Sequence, residues 1–285
     1  MESQVSFKGD NALMSKLLSI VIPNKNNSEE HLLRVVNSIP NEDDVEIILV
    51  NDKDSILPNS IKGLAIKVIQ NDSKYLYGLG YCRNLGVDCS DGKYIWQVDG
   101  DDYIIGLDKV MTKLRTFDGK DCLTLGYRIL RDGYHCDSLN KIVEFNDIYR
   151  CNVGVWSKII KKEIWHPNPV NMESAESSSW WYGQLGKIGT AESLDEIIYV
   201  YDRTNENAIT NTPMFFKKNP MPLMELIDDN VDLKLTSQNY PSDSLRGLAN
   251  LIEIYRKSSN PMLKQVIRDR IDVVYNGFVN GKYCH

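Results

Sequence analysis

The sequence predicts an α/β protein, a mostly parallel sheet with helices on both faces, followed by a C-terminal α-helical extension. Three observations predict it. Short β-branched apolar runs alternate with amphipathic segments over residues 17–104. Several of those runs end in polar clusters, at Asn24–Asn27, Asn51–Asp54 and Asp99–Asp102. Beyond residue 211 the apolar residues recur at helical spacing, with no further alternation.

Leu17 to Ile22 reads as a strand buried on both faces and stopped by Pro23. Ser28-Glu29-Glu30 then caps an amphipathic helix carrying Leu32, Leu33, Val35, Val36 and Ile39. Val45 to Val50 is a second buried strand and Leu64 to Ile69 a third. Gly78 to Cys89 reads as a helix, and Tyr94 to Val98 as a fourth strand running into Asp99. Further on, Leu107 to Phe117 is helical, residues 122–130 and 142–148 are strands, and Val155 to Ile164 is a helix. Trp180 to Lys187 is a helix and Ile197 to Tyr201 a strand. Leu245, Leu248, Ile252 and Tyr255 form one stripe, and Leu263, Val266, Ile267, Ile271, Val274 and Phe278 another. They predict two helices joined at Ser259-Asn260-Pro261.

Composition narrows the function. With 285 residues, 42% hydrophobic and 25% charged, the chain is ordinary globular material and long enough to build its own core. No apolar run approaches the roughly 20 residues that span a bilayer, and no secretory pattern opens the sequence. The six cysteines are scattered without a CxxC pair, which points to reduced thiols and a cytoplasmic location. A net charge of -6 argues against a chain-wide grip on nucleic acid. The charge is uneven, however: residues 211–285 carry 10 basic and 8 acidic side chains, against 23 and 31 before them.

In parallel α/β sheets ligands bind beyond the carboxyl ends of the strands, so the three polar clusters are expected to share one edge. The richest is Asp99-Gly100-Asp101-Asp102. Carboxylates packed this closely repel one another and offer hard oxygen ligands to Mg²⁺ or Mn²⁺. A solvated acidic turn is the competing reading. A calcium loop is excluded, because the twelfth position from Asp99 is Val110.

Four segments then resemble the family 2 glycosyltransferases. Ser19-Ile20-Val21-Ile22-Pro23-Asn24-Lys25-Asn26 resembles their opening strand, and Ile48-Leu49-Val50-Asn51-Asp52 their second strand with its nucleotide-binding acid. Gly78 to Gly86, ending Arg83-Asn84-Leu85-Gly86, resembles their Arg-Asn-x-Gly helix. Asp91 to Ile95 with Val98 to Asp102 resembles their DxD metal strand. The order and spacing over residues 19–102 match as well. The resemblance implies a GT-A fold over residues 17–210, with a nucleotide-sugar half (17–104) and an acceptor half (105–210). Residues 1–16 would be an N-terminal extension and 211–285 the helical one.

The resemblance also implies roles. Pro23, Asn26 and Asp52 would line the base and ribose pocket, and Arg83 would meet the nucleotide or its diphosphate. Asp99 and Asp101 would hold Mn²⁺ or Mg²⁺, with Asp99 also in the donor site. Val155 to Glu163 resembles a Trp-x-Lys helix of many members, and Glu196 to Arg203 the strand that closes the domain, which adds Arg203 to the donor-site set. Members often place a His two residues after that Arg, where this chain has Asn205. The family's catalytic Asp falls on Ser177, so Glu176 is the candidate base and Glu173 the second choice. Trp180 and Trp181 offer faces on which an acceptor sugar would stack.

The resulting expectation is a metal-dependent, inverting transferase using a UDP-sugar, with a glycan or glycolipid hydroxyl as acceptor. Two alternatives stand beside it. Arg256, Lys257, Lys264, Arg268 and Arg270 would suit an acceptor on DNA, such as the hydroxymethylated bases of phage DNA. Ser177 would suit a non-catalytic binding module on the same fold.

Overall fold

The computed structural model describes residues 16–74, 76–131, 134–142, 155–167, 184, 187–204 and 268. Its elements run β1 (Leu18–Asn24), α1 (Glu29–Asn37), β2 (Val45–Asn51), α2 (Asn59–Lys62), β3 (Lys67–Gln70), α3 (Leu79–Asp88) and β4 (Tyr94–Gln97). They continue through β5 (Tyr103–Ile104), α4 (Leu107–Arg115), β6 (Cys122–Arg131), β7 (Tyr134–Ser138), β8 (Lys158–Lys161) and β9 (Ala191–Asp202). The predicted strand over 142–148 apart from Ile142, the helix over Trp180 to Lys187 apart from Gln184 and Lys187, and the two C-terminal helices apart from Arg268 lie outside the described residues. Among the described residues no helix is long and apolar enough to cross a membrane.

One sheet organises the molecule, in the order β3-β2-β1-β4-β8-β6-β9-β5, with β7 beside β6. Its first four strands are mutually parallel, as the alternation of strands and helices requires. β1 earns the central place: all seven of its residues are buried, and it pairs β2 on one side and β4 on the other. The second half is mixed. β8 runs antiparallel to both β4 and β6, while β9 runs parallel to β6 and antiparallel to β5.

β8 corrects one expectation. The segment from Val155 to Ile164, expected as a helix, is instead a strand between two single 3₁₀ turns, Val155–Ser157 and Lys162–Ile164. The physical reason is two-sided burial. Ile159 faces the main core with Trp96, while its neighbour Ile160 pairs Ile95 in the core under α3. Consecutive β-branched residues buried on opposite faces suit a strand of period 2 rather than a helix. Short apolar runs are ambiguous on this point from sequence. β3 begins three residues later than expected and β9 six residues earlier, and the short strands β5 and β7 were not anticipated.

Among the described residues two main cores flank the sheet, and a small cluster of Leu32, Leu49, Leu57 and Ile61 lies under α2. The larger joins β1, β4, β6, α1 and α4 through Leu18, Ile20, Trp96, Val110, Leu114 and Leu123. Trp156 stacks on Tyr199 (4.6 Å between centroids) and Tyr201 (5.2 Å), and its carbonyl accepts the Trp96 indole N–H at 2.7 Å. The smaller core packs α3 on β1 and β2. There the chain approaches so closely that a Cβ on Gly86 would stand 2.2 Å from Val21 Cγ1. This contact is the packing reason for the glycine of Arg-Asn-x-Gly.

Candidate active site

The three polar clusters converge at the carboxyl edge of β1, β2 and β4. Asn24 and Asn51, register partners at the strand ends, share a side-chain hydrogen bond of 2.7 Å. The Asp52 N–H donates to the Asn24 carbonyl at 2.8 Å. The Asp99 loop presses on the same edge: a Cβ on Gly100 would lie 2.4 Å from Asn27 Nδ2 and 3.1 Å from the Pro23 carbonyl. Pro23 is thus buried under the loop, whereas Asn26 is exposed, in the left-handed region at φ 58°.

Asp52 is 1% exposed and wrapped in donors. Its oxygens accept the Gly78 N–H at 3.0 and 3.2 Å, the Asn71 amide at 3.0 Å and the Cys82 thiol at 3.3 Å, and Lys25 lies 3.4 Å away. Burial pushes its carboxyl pKa upward, but the bonds from Asn71, Gly78, Lys53 and Cys82 together hold it below the usual carboxylate value. Asp52 therefore stays charged, and it pins the start of α3. Burial, reinforced by the Asp52 charge, pushes the Cys82 thiol far up, so this cysteine is a neutral donor and no nucleophile. Lys25 and Lys53 both lie over the Tyr77 ring, at 5.4 and 5.2 Å.

Arg83 is also 1% exposed, and its Nη2 donates to Asp99 Oδ1 at 2.7 Å. The guanidinium thus reaches one edge of the acidic loop from below. The Asp99 side chain keeps 26% exposure, and Asp101 is half-buried beside it. Asp102 is fully buried. Its two oxygens accept the Tyr199 hydroxyl and the Asp202 N–H, the latter at 2.8 Å. Burial raises its pKa well above the ordinary value, and the neighbouring charges of Asp99 and Asp101 raise it further.

That mutual pressure bears on whether a cation fits. No group of three His, Cys, Asp or Glu side chains forms a cage among the described residues. Asp99 and Asp101 instead offer two hard oxygen donors at an accessible rim, in a cluster whose charges already work against each other. Such a donor set suits a divalent ion that takes its remaining ligands from water and a substrate phosphate.

Arg203 sits past the end of β9, its guanidinium 5.8 Å from the Tyr201 ring and its N–H on the Leu130 carbonyl at 3.0 Å. The structure brings Pro23, Asp52, Arg83, Asp99 and Asp101 to one edge. Glu173, Glu176, Trp180, Trp181 and the Ser177 and Asn205 positions lie outside the described residues. Sequence reasoning missed Asn71, which joins the Asp52 carboxylate to the Leu76 carbonyl. It also missed Tyr199. The available signal was the Tyr199-Val200-Tyr201-Asp202 alternation, which places two aromatics on one face next to an acid.

Known proteins share this fold. Residues 19–115 match the model of the family described as Glycosyl transferase family 2. This stretch is similar in sequence to that family. A curated relative, the uncharacterized glycosyltransferase EpsJ of Bacillus subtilis (strain 168), is 25% identical over 231 residues, covering 70% of this chain. The chain spans 64% of that relative's length. Among solved structures, S. aureus TarS 1–349 in complex with UDP-GlcNAc matches with a TM-score of 0.59 at 16% identity, covering 93% of this chain and 92% of that one. The same TarS fragment without that ligand matches at 0.56 and 18% identity, with 94% and 93% covered. Residues 19–115 and the strands that follow them thus share the GT-A fold.

Proposed function

We propose that this protein is a metal-dependent, inverting glycosyltransferase that moves a sugar from a UDP-sugar to a hydroxyl of a glycan or glycolipid. One observation carries the reading: a buried arginine, Arg83, pairs with the rim acid Asp99 at 2.7 Å, beside Asp101 and at the carboxyl edge of a parallel sheet. This is where such sheets bind nucleotides, and a cation-plus-diphosphate group is what a pair of rim acids backed by a guanidinium would accept. The matched TarS structures, one with UDP-GlcNAc and one with UDP, support the choice of nucleotide.

Asp99 and Asp101 would hold the divalent ion, which when bound neutralises charge on the departing diphosphate. Arg83 sets the Asp99 carboxylate and adds positive charge beneath the diphosphate. Asp52, kept ionised by its donors, fixes the pocket wall for the base and ribose together with Pro23 and Asn26. Arg203 closes the donor site from the end of β9. Glu176, with Glu173 as second choice, takes the proton from the acceptor hydroxyl as that oxygen attacks the anomeric carbon opposite the leaving group. Trp180 and Trp181 carry the acceptor. UDP release from a panel of UDP-sugars, with Mn²⁺ and with chelator, tests this. Metal-dependent release with one donor and a glycan acceptor is the expected result. Absence of release with every donor, together with UDP affinity indifferent to metal, would overturn it in favour of a non-catalytic module.

A further inference from the structure

The acidic loop is held from behind by residues that sequence motifs do not mark. Tyr199 is fully buried in β9, and its ring is already locked by the stack on Trp156 and a tilted contact with Trp96 at 6.3 Å. Its hydroxyl is not needed for that packing, and burying a phenol oxygen is costly unless it is bonded. Both of its bonds go to one place. It donates to the Asp102 carboxylate and accepts the Asp99 N–H at 3.1 Å. Arg34, on α1, converges on the same loop from the other side. Its Nη2 donates to the Asp101 carbonyl, and its guanidinium lies 5.1 Å from the Tyr103 ring. Its Nη1 pairs with Asp202 at 2.7 Å, the residue whose N–H bonds Asp102. Burial pushes the Asp202 carboxyl up, yet the bonds from Thr204 and the Arg34 charge hold it below its ordinary value, so the pair is ionic.

We propose that Tyr199 and Arg34 are positioning residues for the donor site. They hold the backbone of Asp99 to Asp102 in the one shape that presents the Asp99 and Asp101 carboxylates together at the rim. The inference rests on the metal-dependent reading above. It explains why a buried acid, Asp102, is kept next to two others: it is the anchor that the tyrosine hydroxyl and the β9 backbone grip. The anchor ties the loop to a strand 97 residues further along the chain, so the cation site is complete only once β9 has docked.

Tyr199→Phe keeps the ring and removes the hydroxyl. Arg34→Lys keeps a charge for Asp202 but loses the forked reach to Asp101. Ile61→Val, in the core under α2, is a control for destabilisation alone. Two quantities are read on purified protein: Mn²⁺ affinity in the presence of UDP, by electron paramagnetic resonance, and UDP affinity without metal, by calorimetry. Both loop variants are expected to weaken Mn²⁺ binding about ten-fold, the factor one lost buried hydrogen bond corresponds to. Metal-free UDP affinity should stay unchanged, and Ile61→Val should move neither. If wild type binds Mn²⁺ with UDP and both variants match it within two-fold, the positioning role is overturned while the metal reading stands. If wild type binds no Mn²⁺ with UDP, both fall together.

Discussion

Asp52 and Asp102 are two buried carboxylates on the same edge of one sheet, and they are held in opposite ways. The donors to Asp52 come from nearby in the chain, Asn71, Gly78 and Cys82, all within 30 residues. The donors to Asp102 come from Tyr199 and Asp202, 97 and 100 residues away. Asp52 is kept ionised by neutral donors, whereas Asp102 is crowded by two further acids and driven toward its protonated form. The lesson concerns assembly. The nucleotide-side wall is built by consecutive β-α units that close on themselves, while the acidic loop waits for a strand from the other half. Loop closure over longer separations costs more chain entropy, so the second arrangement is the more costly to assemble.

Four outcomes would sharpen or break that contrast. The largest effect is expected from Asp99→Ala combined with Asp101→Ala. Transfer should fall by about 100-fold or more, since a lost cation removes several kcal/mol of charge stabilisation. UDP affinity without metal should fall far less, because the donors that hold Asp52 (Asn71, Gly78 and Cys82) lie outside the loop. A double variant that lost both would show that the two walls are one unit.

Gly86→Ala comes next. A Cβ there meets Val21, so overpacking should lower stability by about 2 kcal/mol, read from urea unfolding. Because α3 also carries Arg83, the partner of Asp99, a slight loss of Mn²⁺ affinity should accompany the lower stability. Asp52→Asn is expected to cost about as much, roughly 2 kcal/mol, since an amide cannot accept from all the donors that converge there. It also has a pH signature. The folded pKa of Asp52 lies below its unfolded value, so its contribution is full above the unfolded pKa and fades as pH falls through the folded one. Wild type should therefore lose stability on acidification in that range, and the Asn variant should lose less. Equal acid slopes for the two proteins would remove Asp52 from the argument.

The smallest effect is that of Ser28→Ala. Ser28 Oγ accepts the His31 N–H at 3.2 Å at the head of α1, a cap worth about 1 kcal/mol. Because α1 also carries Arg34, the variant should show a slight loss of Mn²⁺ affinity in step with its lower melting temperature. A loss of metal affinity with no change in melting temperature would mean that α1 is coupled to the loop more tightly than the cap alone allows.

Much of the donor edge was legible residue by residue. β1 and β2 announced themselves as buried apolar runs, β4 as a strand running into Asp99, and Ser28-Glu29-Glu30 marked the head of α1. Asn51-Asp52, Arg83 and Asp99-Gly100-Asp101-Asp102 stood at strand ends or in a glycine-bearing helix, where local pattern and chemistry coincide. Other features were hidden for definite reasons. Lys158 to Lys161 carries two isoleucines buried on opposite faces of the sheet, and no periodicity in four residues separates that from a helix. Asn71 looks like any turn asparagine until β3 brings it beside Asp52. Tyr199 looks like a core aromatic, and its ring is one; only its hydroxyl has another task.

The amino-acid order alone determined the βα units of residues 17–104, their parallel pairing, and the edge on which the acids gather. Hydrophobic period, capping and tight glycine contacts act over a few residues, and they leave a readable trace. Tertiary structure decided how those acids are held: which carboxylate is charged, which is buried, and which arginine faces which oxygen. Those outcomes depend on donors that arrive from far along the chain, on desolvation, and on the distances between charges. None of these is a property of any residue until the sheet has closed around it.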